Sequence, residues 1–303
     1  VGADGAVTLP YTQTDSTGVQ WVVMQNGMMR QQSGQPIFAQ ADNLTVNGAG
    51  SNGASNKGRV DPKTGELILD NLPFPNCTAT RRILIGHDVN YVRVIDVFKN
   101  TQSQPINISV SVQSFINFGI QNSTVVNDPK KNTPIGYVMT TGIGRAAAEM
   151  YAGKGSKIVP NISSPQGNNM IQAELQLSIA PGKSAAVMRL LMTSATANES
   201  QQFMTSLKES DILRTLPPEL RRSIVNFGAT TATYVNDLEI LRGDMFDVIE
   251  LRPGDQMKGT IKEANYRLTT SYGTVDLPAE QVIGLINVGQ IRPRQLIITG
   301  DGQ

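Results

Sequence analysis

Between residues 106 and 118 the apolar side chains Ile106, Ile108, Val110, Val112, Ile116 and Phe118 share one phase. Asn107, Ser109, Ser111, Gln113 and Asn117 occupy the other. This period of two predicts a strand with one buried and one wet face, so Val110 is expected in a core and Ser111 in water. At about 3.3 Å per residue it would run about 40 Å, long enough to expect a bend or a bulge. Residues 91–99, rich in β-branched and aromatic side chains, predict a second long strand, and 100–105 supply a polar turn between the two. Asn26-Gly27 between apolar runs predicts a hairpin. Ile171, Ala173, Leu175, Leu177 and Ile179 alternate with polar residues and lead through Pro181-Gly182-Lys183 into an apolar run at 185–193, read as a hairpin tip between two more strands. Residues 121–169 carry weaker signals and read as a long excursion off the sandwich, the expected interaction region.

Helical spacing is confined to two short stretches. Residues 200–208 carry Phe203, Met204 and Leu207, and Pro217-Pro218 opens a helix whose Leu220, Ile224 and Phe227 share a stripe before Gly228. Five short strands follow at 246–251, 257–262, 266–270, 274–277 and 282–288, too short for a sandwich and suited to a small barrel of the SH3 or Sm kind. The expectation is a mainly β protein: a large antiparallel β-sandwich over 1–228, a linker at 229–243, a barrel at 244–288, and at 289–303 the start of a second barrel-like repeat. Gln295 to Thr299 should pair with the preceding barrel or with another subunit, in a polypeptide that continues beyond Gln303 and whose leader preceded Val1.

Composition narrows the function. The 303 residues hold only 17% charged side chains and a net charge of +1, which gives nucleic acid or an anionic membrane no strong field to follow. No apolar run approaches the roughly 18 to 20 residues that span a bilayer. Asn, Gln, Ser, Thr and Gly fill the non-core positions where Lys and Glu would stand on solvated helices, and this points to a cell surface, the extracellular space or a periplasm. Matches to the glycosylation acceptor pattern begin at Asn43, Asn76, Asn107, Asn122, Asn161 and Asn198, but so Asn- and Ser-rich a chain produces several by chance.

No catalytic constellation, metal site or cofactor site emerges. Cys77 and His87 are the only residues of their types, too few for most zinc sites, and Cys77 has no disulfide partner in the chain. His87 reads as a turn residue beside Asp88, with no nucleophile elbow elsewhere. Gly48, Gly50 and Gly53 match a dinucleotide fingerprint in spacing but lie in a polar tract with no helical period after it. Gly182-Lys183-Ser184 lacks the earlier glycine of a phosphate loop. Asp61, Glu66 and Asp70 fit no defined calcium loop and read as a solvated hairpin.

Two stretches resemble known families. Gly254 to Thr260, Tyr266 to Gly273 and Leu277 to Val282 resemble small β repeat modules of secreted and surface proteins of bacteria, modules that often precede carbohydrate-binding domains. Residues 80–119, with charged side chains inside alternating strands and a turn at Asn100-Thr101, resemble sheet segments of the galactose-mutarotase-like supersandwich, a family of enzymes and non-enzymatic sugar binders. The single His87 departs from that family's histidine-rich active site, so the resemblance implies no catalytic residue. The first expectation is a non-enzymatic structural or adhesive subunit of a cell-surface or extracellular assembly, even a filament, partnered by itself or by other surface proteins. The alternative is a carbohydrate-binding or carbohydrate-active module, with Trp21, Tyr91, Tyr137 and Tyr151 as sugar-stacking residues.

Overall fold

The structure is a computed structural model, and it describes residues 5–51, 56–86, 89–129, 131–154, 156, 158–163, 169–213, 215–227, 247–250, 256–260, 262–270, 273–288 and 294–299. The chain divides into two units, Val1–Thr230 and Thr231–Gln303. The first is a sandwich of a nine-stranded and an eight-stranded sheet. In the nine-stranded sheet Val92–Asn100 pairs antiparallel with Cys77–Ile85 on one side and Ser184–Ser194 on the other. The eight-stranded sheet is centred on Ile106–Ile116, flanked by Met170–Ile179 and Phe38–Val46. Their facing sides interdigitate in one apolar core that includes Val46, Ile83, Val94, Phe98, Val110, Leu175 and Val187.

Two of the expected turns prove to be corners. Val92–Asn100 and Ile106–Ile116 lie in opposite sheets, as do Met170–Ile179 and Ser184–Ser194, so 101–105 and 180–183 carry the chain across the sandwich where hairpins were expected. Asn100 ties the two crossings together. Its side-chain NH2 donates to the carbonyls of Gln104 at 2.8 Å and Ile179 at 2.9 Å, its Oδ1 accepts from Gln102 N–H at 2.8 Å, and its N–H donates to Lys183. A corner exposes backbone groups that no ladder satisfies, and one buried amide supplies both polarities. The Asn26-Gly27 hairpin is present between Gln20–Val23 and Met29–Gln31.

The segment expected to leave the sandwich instead completes it. Ile120–Asn127, Pro134–Thr141 and Ala146–Met150 form three consecutive strands at one side of the nine-stranded sheet. Gly136 permits this packing, because a Cβ there would meet the Glu149 carbonyl oxygen at 2.5 Å.

Among the described residues three helices, one more than the sequence pattern predicts, follow the last strand of the sandwich: Ala197–Ser206, Glu209–Leu213 and Pro218–Ser223. Thr196 caps the first through Glu199 N–H, and the Glu199 carboxylate reaches back to accept from Ala195 N–H, one residue before the cap. Met204, Ile212, Leu213, Leu216 and Leu220 form a second apolar cluster with Ile95, Met188 and Leu190, the outward phase of the nine-stranded sheet. Both faces of that sheet are therefore covered, whereas the outer face of the eight-stranded sheet keeps its polar side chains.

Among its described residues the second unit has three antiparallel pairs: Asp247–Glu250 with Gln256–Gly259, Asn265–Thr270 with Gly273–Pro278, and Val282–Val288 with Arg294–Thr299. The described residues form no closed barrel; each pair is a separate two-stranded sheet. The strand expected to open a second repeat finds its partner in Val282–Val288.

Candidate functional site

The first polar constellation lies inside the sandwich. Arg81, Asp96 and Arg189 occupy the inward, otherwise apolar phase of three adjacent strands, and Asp42 reaches them from the opposite sheet. Asp42 sits at φ 54°, where Ala41 and Asp42 together oppose Ser114 in a bulge of the ladder. This left-handed conformation suits Asp better than most residues, and it turns the carboxylate inward. Ser114 Oγ accepts the Asp42 N–H at 3.0 Å and closes the irregularity.

Every N–H of Arg81 is used. Nε donates to Asp96 Oδ1 at 2.7 Å, Nη2 to Asp96 Oδ2 at 2.9 Å and Asp42 Oδ1 at 2.8 Å, and Nη1 to the carbonyls of Gly27 and Asp42. Gly27, at φ 79°, lies so close that a Cβ would meet Arg81 Cδ at 2.7 Å, so the hairpin glycine seals the guanidinium from above. Arg189 donates from Nε to Asp42 Oδ2 at 2.6 Å and from Nη2 to Asp42 Oδ1 at 2.8 Å and to Asp96. Two cations and two anions cancel, with none more than 2% exposed. Burial opposes ionisation of Asp96, but Arg81 and Arg189 outweigh it and hold the carboxyl below its usual range.

Glu149 adjoins this lattice without a full share in it. Burial pushes its pKa up to about 7, against hydrogen bonds from Ser114 and Tyr151; the Asp42 carboxylate adds to the rise and Arg189 opposes it. The Tyr151 hydroxyl donates to Glu149, and burial followed by the Glu149 charge drives the phenol well above its usual range. Because the folded pKa lies above the unfolded one, the native state holds the extra proton between about pH 4.5 and 7, and stability falls as pH rises through that window. The shift corresponds to about 3 kcal/mol. Glu149→Gln is therefore expected to flatten the stability profile between pH 5 and 8 and to raise stability most at pH 8. Urea melts across that range check it, and an unchanged slope would contradict the assignment.

A second ionic group lies on the opposite side of the nine-stranded sheet. Glu66 accepts from Arg93 Nη2 at 2.9 Å and from Arg82 Nε at 2.9 Å, while Arg93 Nη1 donates to Thr215 and ties the helical layer down. Asp70 pairs with Arg59, and Asp61 folds back on the N–H groups of Lys63 and Thr64. The three carboxylates weighed for calcium are thus engaged by arginines and backbone, and Glu66 is buried where a solvated hairpin was expected.

Three of the aromatic residues proposed for sugar stacking offer no face to a ligand. Trp21, Tyr137 and Tyr151 are at most 1% exposed. Trp21 donates to Asp15 at 2.8 Å and packs on Phe38, and Tyr151 serves Glu149. Trp21 and Tyr137 lie on the inward phase of their strands and Tyr151 follows the end of Ala146–Met150 in the same core, so stacking at these three is corrected to core packing. Tyr91 is half-buried against Phe203, with ring centroids 5.7 Å apart. It shares with Trp21 a hollow of about 10 Å³, room for a single water. Cys77 is a buried free thiol, and His87 lies outside the described residues, as does Gly53 of the glycine triplet. No group of His, Cys, Asp and Glu suited to a metal ion occurs among the described residues, and no described helix is long and apolar enough to cross a membrane.

The exposed constellation is the wet face of the eight-stranded sheet. Asn107, Ser109, Ser111, Gln113 and Phe115 stand in one row, with Ser178, Gln176, Glu174, Gln172 and Met170 opposite them on one neighbour and Thr45, Asn43 and Gln40 on the other. The row spans about 26 Å. Glu174 accepts from Ser109 and Gln176 at 2.6 Å, and Gln113 Nε2 donates to Gln172 Oε1 at 3.0 Å. That last pair leaves an amide carbonyl on Gln113 and an amide NH2 on Gln172 for another molecule. Ser111, 9% exposed, has an Oγ with no partner. Phe115 is 36% exposed at the end of the row. Sequence reading placed Asn107 to Gln113 in water but missed the array, because its rows come from segments far apart in the chain.

Fold and face together define a two-sheet antiparallel β-sandwich with a sealed ionic interior and a polar outer sheet. No family model matches the chain, and no curated protein matches it. Solved structures with weak likeness include the Slr1438 protein from Synechocystis sp. PCC 6803, at 10% identity and TM-score 0.42, covering 64% of this chain and 99% of that one. Another, described as an aldose 1-epimerase from Escherichia coli K12, has 8% identity and TM-score 0.38 over 63% and 99% of the two chains. The heparinase III BT4657 gene product has 10% identity and TM-score 0.40 over 62% of this chain and 35% of its own. Every one of these scores lies below 0.5, and no role passes from these proteins to this chain.

Proposed function

We propose that this chain is a non-enzymatic, adhesive β-sandwich of an extracellular or cell-surface assembly that holds neutral glycans on the wet face of its eight-stranded sheet. The observation that carries the reading is the array around Gln113 and Gln172. Amides and hydroxyls at strand spacing offer paired donors and acceptors to sugar hydroxyls, and Phe115 offers an apolar face for a pyranose ring. Glu174 is the only charge among the residues named in the three rows, so a polyanion gains nothing there and an uncharged chain loses nothing. The carboxylates Asp42, Asp96 and Glu149 point the other way, into the sealed lattice, and Glu174 stands on the outer face without a second carboxylate among the named rows, which favours binding over turnover.

A glycan array followed by calorimetry on the strongest neutral ligand tests the reading. The wild-type chain is expected to bind selectively, and Gln113→Ala/Gln172→Ala and Phe115→Ala are each expected to weaken binding by about tenfold at an unchanged melting temperature. A wild-type chain that binds no neutral glycan, or variants that bind as well as it does, would contradict the proposal.

A further inference from the structure

Of the four strands that end the two sheets, three are short. Ala6–Thr8 and Asn161–Ser163 have three residues each and Tyr11–Thr14 has four, too little backbone to template a partner. The fourth, Ile120–Asn127, has eight residues and pairs within the described structure only with Pro134–Thr141. Its sequence IQNSTVVN contains no lysine, no other charge and no proline, the side chains that natural edges use as guards. Gln121, Asn122, Thr124, Val125 and Asn127 are exposed, and Val125 places 38% of an apolar side chain in water.

We propose that this edge is a self-association surface, pairing antiparallel with the same strand of a second copy across a two-fold axis. The ladder supplies the register. Irregularities fall between Ile120 and Asn122 and between Val126 and Asn127, leaving Asn122, Ser123, Thr124, Val125 and Val126 as the regular stretch, symmetric about Thr124. A two-fold axis there sets Thr124 against Thr124, Ser123 against Val125 and Asn122 against Val126, all uncharged, so no like charges meet. A charged peptide would find no counter-charge on this strand, which favours a copy of the same chain over such a partner. Such contact is isologous and closed, so it makes a dimer in which the two nine-stranded sheets become continuous, and not an open filament. The surface is separate from the glycan-binding face and stands whether or not that face binds sugar.

Light scattering coupled to size-exclusion chromatography, from low micromolar to near-millimolar protein, reads the outcome. The wild-type chain should shift from monomer to dimer. Thr124→Asp and Thr124→Lys, exposed substitutions expected to leave the melting temperature unchanged, should each raise the dissociation constant by roughly tenfold or more through like charges at the axis. An equimolar mixture of the two variants should recover the dimer, which neither a folding defect nor a different interface would produce. A wild-type chain that stays monomeric throughout, variants that dimerise as tightly as wild type, or a mixture that stays monomeric would each overturn the proposal.

Discussion

Asp96→Asn is expected to lower the unfolding free energy of the sandwich by about 3 to 5 kcal/mol, the cost of removing one member of a buried ion pair. Asp96 accepts from Arg81 through both carboxylate oxygens and from Arg189 through one. With an amide in its place Asp42 alone would balance two guanidiniums, and the interior would carry an uncompensated positive charge. The amide NH2 would also face N–H donors where an acceptor is required. Replacing all four of Asp42, Arg81, Asp96 and Arg189 by apolar side chains of similar volume should cost less than the single change, because no charge is then stranded. Urea denaturation of the two variants compares them directly. A loss under about 1 kcal/mol for Asp96→Asn would mean that the lattice is not the internal tie described.

Val110→Asp should be more damaging still, costing more than about 4 kcal/mol, because it introduces an unpaired carboxylate into a site fully closed from solvent. Val110 lies opposite Leu175 on one side and Val46 on the other, within the apolar core. Ser111→Asp reports on the opposite face of the same strand. The alternating pattern alone predicts that it costs little, but Ser111 is hemmed in by Thr45 and Glu174 and has only 9% of its surface free. A carboxylate there meets a like charge, and a loss of about 1 to 2 kcal/mol is expected. Melting temperatures that order Val110→Asp well below Ser111→Asp confirm the register, and equal values would contradict it.

Much of the fold was legible in the period of two. The alternation at 106–116 and 171–179 identified inward and outward faces correctly, and the expected irregularity appears near Ser114. Partition between sheets was not legible, because a corner and a hairpin use the same Pro, Gly, Asn and Ser residues and differ only in which strands pair afterwards. Residues 134–150 looked peripheral because Gly136 and Ala146 to Ala148 carry little hydrophobic signal, yet small side chains are what close packing there demands. Arg81, Asp96 and Arg189 were not singled out, although each is a charge on an apolar phase, a pattern that in a buried strand requires a partner of opposite sign. Asp42 was hidden, since the bulge shifts the phase of its strand. Trp21, Tyr137 and Tyr151 illustrate the reverse error, in which residue type suggested a ligand while strand phase already pointed to the core.

Hydrogen–deuterium exchange with and without the best neutral glycan tests most directly the division between a sealed interior and a binding outer face. Protection on ligand addition is expected in the strands Ile106–Ile116 and Met170–Ile179, with no change at Cys77–Ile85 or Ser184–Ser194, whose Arg81 and Arg189 face inward. Protection that falls on the nine-stranded sheet and spares the row from Asn107 to Phe115 would contradict the account.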